Sequence, residues 1–186
     1  MRAVIIYESM FGNTHVIADA IARGLEPGVR VTMVPVTGAS AELLDGVDLV
    51  VVGGPTHAHG MSRASTRKSA VEQAHKSNGG PALDTGVTAD APGVRDWLGS
   101  LDRISASAAA FDTRLGAPVM FTGRASKGIA KLLERHGLTL VAEPESFLVT
   151  TDNELQPGEE DRAREWGAQL AAKAVLAAGT TAGRAD

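Results

Sequence analysis

The chain has 186 residues, 44% apolar and 22% charged, with a formal net charge of −4 and no cysteine. This length suits one domain with a proper core, and the missing cysteines exclude disulfides, thiolate metal sites, cysteine-ligated clusters and thiol catalysis. No run approaches the ~20 apolar residues of a membrane helix, the N-terminus has no signal-peptide pattern, and the acidic balance carries no nucleic-acid footprint.

The reading is therefore a cytoplasmic protein with neither membrane nor nucleic acid as a partner, whose redox work, if any, needs a bound cofactor. Residues 3–7 are a first apolar strand. They run into a loop of small, hydroxyl and amide residues from Glu8 to Thr14, which opens a helix over 15–25 with Val16, Ile17, Ala20, Ile21 and Leu25 at helical spacing. Backbone N–H groups at such a helix start are unsatisfied and partly positive, so the junction can hold a phosphate. Ser9, Asn13 and Thr14 add donors, and Gly12 permits close approach. The loop holds no Lys or Arg, which separates it from a Walker-type loop.

A second strand follows over 29–36, a helical turn over 41–44, and a continuous apolar third strand over 49–52 of the kind buried on both faces. Residues 62–77 read as a basic helix, with Arg63, Arg67, Lys68 and Lys76 against Glu72, broken by Asn78-Gly79-Gly80-Pro81. A polar loop over 85–92 then leads to a helix around 94–101. The fourth strand is 106–111, a helix over 127–136 stops at Gly137, and the fifth strand is 138–147. A long last helix covers 159–178, with Trp166 on its apolar stripe, and 179–186 is a flexible tail. Between 143 and 161 there are seven acidic residues and no Lys or Arg, an acidic rim able to steer a basic partner.

Five strands alternating with helices imply a doubly wound parallel sheet with helices on both faces. Ligands of such sheets bind beyond the carboxyl ends of the strands. The loops meeting there are 8–14, 53–60 and 112–116, all rich in Gly, Pro, Thr, His or Asp. His57 and His59 have a spacing that metal sites use, but Asp112 is the only carboxylate near enough to help, so no metal site is read.

The segment Ser9-Met10-Phe11-Gly12-Asn13-Thr14 resembles the phosphate loop of the flavodoxin family. Val51-Val52-Gly53-Gly54-Pro55-Thr56 resembles the family's third strand and first ring-flanking loop, and Phe111-Asp112-Thr113-Arg114 stands where the second begins. The resemblance spans nearly the whole chain, as one domain over 1–178, except an insertion over 61–90. It implies a five-stranded flavodoxin-like sheet of order 2-1-3-4-5 and FMN as cofactor. Phosphate contacts fall to Ser9, Met10, Phe11, Gly12, Asn13 and Thr14, mostly through backbone N–H groups. Pro55, Thr56, His57 and His59 flank the ring on one side, and Asp112, Thr113 and Arg114 on the other.

The chain departs from the family in lacking Trp or Tyr in either ring-flanking loop, each such stack being worth ~0.5–1.5 kcal/mol beyond buried area. His57 or His59 is expected to stack instead, with the Arg114 guanidinium either over the ring or neutralising a reduced anionic flavin. The insertion leaves the first ring-flanking loop directly and reads first as a solvated surface segment, the alternative being a cover over the ring that brings Trp97 near it. Three functional classes follow. The first is an FMN-binding electron-transfer protein serving a redox partner protein or a small-molecule acceptor. The others are an FMN-dependent NAD(P)H:quinone-type oxidoreductase and a flavodoxin-like module without flavin that acts in binding or regulation. No residue is read as a general acid or base.

Overall fold

The structure is a computed structural model, and it describes residues 1–57, 59–76, 82–84, 88 and 90–182. The Pro/Gly break expected at 78–81, most of the loop expected over 85–92 and residues 183–186 of the tail lie outside the described residues. Among the described residues no helix is long and apolar enough to cross a membrane.

The central sheet is built from β1 (Arg2–Tyr7), β2 (Arg30–Pro35), β3 (Leu49–His57) and β5 (Ser107–Leu115), with the short edge pieces β6 (Thr139–Leu140) and β7 (Glu145–Val149). All these pairs are parallel, in the order β2-β1-β3-β5, with β6 and β7 both on the outer side of β5. This is the 2-1-3-4-5 order, the fifth strand being split in two.

Strand alternation sorts the core into two layers. Ala3, Ile5, Leu49, Val51, Ala109 and Phe111 face α1 (Asn13–Leu25) and α6 (Glu159–Ala182). Val4, Ile6, Val50, Val52, Ala108 and Ala110 face α3 (Val94–Gly99) and α5 (Ala125–Arg135), the latter preceded by the one-turn helix α4 (Val119–Thr122). Trp166 is 7% exposed and packs edge-on against Phe111 and Phe147, at centroid distances of 6.4 and 6.1 Å. Helices α1 and α6 approach closely because Gly24 and Gly167 stand where a Cβ would collide with the other helix's backbone.

Four expectations change. First, β3 and β5 run past the apolar runs at 49–52 and 106–111. Gly53, Gly54 and Pro55 pair with Phe111, Asp112 and Thr113, so the ring-flanking segments begin as strands. Thr56 and His57 then pair antiparallel with the Met61 and Gly60 of β4 (Gly60–Met61). Hydrophobic periodicity misses these extensions because they are built from Gly, Pro and polar residues, buried or not, rather than from aliphatic ones.

Second, the fifth strand is interrupted. Ser107 and Ala108 pair with Thr139 and Leu140, and pairing resumes only at Phe111 with Glu145. Pro144 lacks an N–H and biases Glu143 away from helical backbone, so the ladder breaks there. The Arg124 guanidinium holds the excursion, bonding the Pro144 carbonyl and, at 2.9 Å, the Ser146 hydroxyl. Third, α6 continues to Ala182 rather than stopping at 178.

Fourth, the insertion does not carry Trp97 to the ring site. Trp97 is 6% exposed and belongs to the core layer under α3 and α5. The insertion's helix α2 (Ala64–Lys76) is tied instead to the end of β1. Ser62 donates to one oxygen of the buried Glu8 carboxylate, and the Val94 N–H to the other at 2.9 Å. Arg67, 4% exposed, reaches Ser62 Oγ at 3.2 Å and Asp96 at 2.8 Å. Asp96 also accepts the Gly93 N–H, which, ahead of Arg67, holds its carboxyl below the ordinary value. A cavity of about 390 Å³ lies between this bracket and the ends of β1 and β2. Tyr7 lines it, stacked on His15 at 4.9 Å, and its hydroxyl is pushed up by burial and the Asp84 carboxylate.

Candidate functional site

The carboxyl ends of β1, β3, β5 and β7 open onto a separate cleft of about 250 Å³. Its floor is the start of α1. Gly12 sits at φ 88°, a left-handed conformation glycine adopts without strain, and turns the chain into the helix. The first intrahelical bond is Val16 N–H to the Gly12 carbonyl at 3.0 Å. The N–H groups of Asn13, Thr14 and His15 therefore have no acceptor among the described residues.

The side chains expected to supplement these donors serve the protein itself. Ser9 Oγ accepts the Gly12 N–H at 3.1 Å and shapes the loop. Asn13 Nδ2 donates to the Asn153 carbonyl at 2.8 Å. The buried Thr14 hydroxyl shares a 2.7 Å bond with that of Thr113. Met10 and Phe11 line the cleft, as do Asn13 and Thr14.

Pro55, Thr56 and His57 form one wall, and Thr113, Arg114 and Leu115 the opposite one. Asp112 and His59 lie outside it. Asp112 is fully buried and accepts from Thr56 Oγ1 at 3.0 Å and the Ser126 N–H at 2.8 Å, tying the first wall to the start of α5. Its place is beneath the wall. His59, at φ 72°, turns to a neighbouring cavity on the far side of His57. The Arg114 guanidinium does not stand free over the cleft. Its Nη1 bonds the carbonyls of Leu115 and Ala117 at 3.1 and 2.8 Å and Thr122 Oγ1 at 3.2 Å, ordering the second loop.

One wall was missed by sequence reasoning. Val149, Thr150, Thr151 and Asn153 close the cleft beyond β7. Thr150 N–H bonds the Glu154 carbonyl at 2.8 Å, and Asn153 takes φ 62° in this tight turn. The signal was available: a small polar Thr-Thr-Asp-Asn run at the carboxyl end of the fifth strand, where such sheets bind ligands.

The residues suit a phosphate more fully than a stacked ring. For the phosphate there are unpartnered N–H groups at a helix start with open space over Gly12. The residues lining the rest of the cleft carry three side-chain atoms, His57 Nε2, Arg114 Nε and Asn153 Nδ2, that are buried and have no partner among the described residues. Burial pushes the His57 imidazole below its ordinary value, with the Glu8 carboxylate opposing and Arg67 adding to the shift, so it is neutral at pH 7. Phe11 is the one aromatic side chain on these walls apart from histidine.

Comparison with known proteins agrees with this geometry. No curated protein sequence matches the chain. Its fold is similar to that of a flavodoxin from the domain Archaea, at 20% identity and TM-score 0.62, covering 94% of this chain and 99% of that one. It is also similar to flavodoxin 1 from Bacillus cereus, at 19% identity and TM-score 0.61, covering 95% and 98%. Against rubredoxin oxygen:oxidoreductase from Desulfovibrio gigas the values are 18% and 0.57, covering 95% of this chain and 36% of that one. The flavodoxin family model matches residues 5–99, which contain the loop over 8–14 and the first wall. The chain belongs to the flavodoxin family, whose cofactor is FMN.

Proposed function

We propose that the protein carries FMN non-covalently in this cleft and works in the cytoplasm as an electron-transfer protein, serving a redox partner protein or a small-molecule acceptor. The observation that carries the reading is the set of unpartnered N–H groups at Asn13, Thr14 and His15, at the floor of a cleft into which four strand ends converge. Those groups would hold the phosphate by neutral dipoles, with Met10 and Phe11 beside them. Pro55, Thr56 and His57 would flank the ring on one side and Thr113, Arg114 and Leu115 on the other, while Asp112 and Ser9 keep the loops in place. When bound, FMN supplies one- or two-electron transfer. The neutral His57 presents one donor or acceptor at the wall without adding a charge.

The test is a visible absorbance and fluorescence titration of the purified protein with FMN, with riboflavin as control. Saturable FMN binding with much weaker riboflavin binding is expected. Equal binding of the two would refute the phosphate-loop assignment, and binding of neither would leave a flavodoxin-like module without flavin. Turnover with NAD(P)H and a quinone would move the reading from electron carrier to oxidoreductase.

A further inference from the structure

A third cavity, of about 290 Å³, lies against the other face of His57. Its lining includes His57, His59, Arg63, Ser65, Thr66 and Arg95, and no Asp or Glu, in a chain whose net charge is −4. Neither arginine has a carboxylate partner among the described residues. The nearby acids are already engaged: Glu8 by Ser62 and Val94, and Asp96 by Arg67 and the Gly93 N–H.

Arg95 is also fixed in place. Its Nε and Nη2 bond the carbonyls of Ser62 and Met61 at 3.3 and 3.2 Å, which orients the guanidinium, and the Asp96 carboxylate that acts on it at a distance is bonded to Arg67. Arg63 is exposed and sits at the start of α2, where its own N–H is capped by Thr66 Oγ1 at 2.8 Å. The first helical bond is Arg67 N–H to the Arg63 carbonyl at 2.9 Å, so the N–H groups of Ala64, Ser65 and Thr66 have no acceptor among the described residues. Two guanidinium groups without an ion pair among the described residues, one held by backbone carbonyls, line this cavity with free amides and two imidazoles.

We infer that this cavity is an oxyanion site that takes the phosphate or carboxylate end of a small molecule. Forked guanidinium donors match such groups bidentately, and nothing of like charge competes in the lining. His57 is the wall shared with the cleft. A molecule anchored here by its anionic end therefore lies beside the cleft, as a small-molecule redox substrate would. That extension rests on the proposed function, whereas anion binding does not.

The experiment is an amide and histidine-side-chain NMR titration of the full chain, with and without FMN. The probes are inorganic phosphate and, separately, acetate, at ionic strength held constant with sodium chloride. Saturable shifts at Ala64, Ser65, Thr66 and His59 that persist in the presence of FMN are expected. Arg63→Ala should weaken them by about fivefold to tenfold, and Arg63→Glu should abolish them. Phosphate or acetate acting alone identifies which oxyanion the site accepts. Shifts confined to Gly12, Asn13 and Thr14, shifts reproduced by chloride, or unchanged affinity in Arg63→Ala would overturn the inference. Failure of FMN to bind would overturn the proposed function and leave the anion site standing.

Discussion

Asp112 gives the sharpest test of how the cleft is held together. The carboxylate is fully buried, and one oxygen accepts both the Thr56 hydroxyl and the Ser126 N–H, while the other has no partner. It also stands at the positive end of α5. Asp112→Ala strands a buried amide, which costs about 1–3 kcal/mol, and removes the helix-end interaction, worth about 0.3–1 kcal/mol or somewhat more when buried. Relief of the unpartnered carboxylate oxygen offsets part of this, so a net loss of about 2–3 kcal/mol is expected. Asp112→Asn keeps an acceptor of the same shape and should cost about 1 kcal/mol. Urea unfolding of the apoprotein reads both values, and an unchanged slope confirms that the unfolded states are comparable. Because Asp112 lies beneath the wall, only the Ala variant should weaken FMN, by about tenfold, through displacement of Thr56 and His57. If both variants lose FMN equally while stability hardly changes, Asp112 touches the ligand directly and the argument fails.

Gly53→Ala would place a methyl inside the buried Phe111 ring, so a loss of about 3 kcal/mol is expected in thermal unfolding, with partial recovery in Gly53→Ala/Phe111→Leu. Gly12→Ala meets no atoms but must hold a left-handed φ, so it should cost about 1–2 kcal/mol; calorimetry should show FMN affinity falling further, since the methyl stands over the proposed phosphate floor. His57 has a depressed folded pKa, so its contribution is fully present above about pH 6.5, the unfolded value, and is lost as pH falls toward the folded one. Stability measured as pH falls from about 7.5 through the unfolded value near 6.5 should decline in the wild type and less in His57→Gln. Asn13→Asp sets a carboxylate against the Asn153 carbonyl, so it should lower stability by about 1–2 kcal/mol as well as FMN affinity, and an unchanged urea midpoint would refute that.

Much of this was legible in the chain because the fold is written in alternation that any reader of hydrophobic pattern can follow. The runs at 3–7, 49–52 and 106–111 are buried on both faces, and their neighbours on the two sides come from helices with clear apolar stripes. The site was legible where loops leave strand ends. It was not legible where a polar side chain turns inward. Nothing in the residue type tells that Thr14 bonds Thr113, that Asn13 spans to Asn153, or that Asp112 braces Thr56 from below. Such long-range polar partnerships depend on which loops the sheet order brings together. The direction of the insertion was hidden for the same reason: its course is set by Glu8 and Arg67, a buried carboxylate and guanidinium that look like surface residues in sequence.

The distribution of unpartnered groups bears on what the cleft selects. A buried polar atom without a partner costs about 1–3 kcal/mol, and His57, Arg114 and Asn153 each present one on the same walls. Folding alone leaves that cost in place. An apolar occupant would leave it in place too, whereas a planar ring whose edge alternates carbonyl oxygens and N–H groups would recover it once these side chains turn toward the cleft. A phosphate at the start of α1 recovers the dipoles of Asn13, Thr14 and His15 in the same binding event. On the proposed reading, selectivity would come from the ring's polar edge and the phosphate more than from stacking, which would reconcile a flavodoxin cleft with walls whose aromatic side chains, among the described residues, are Phe11 and the His57 imidazole.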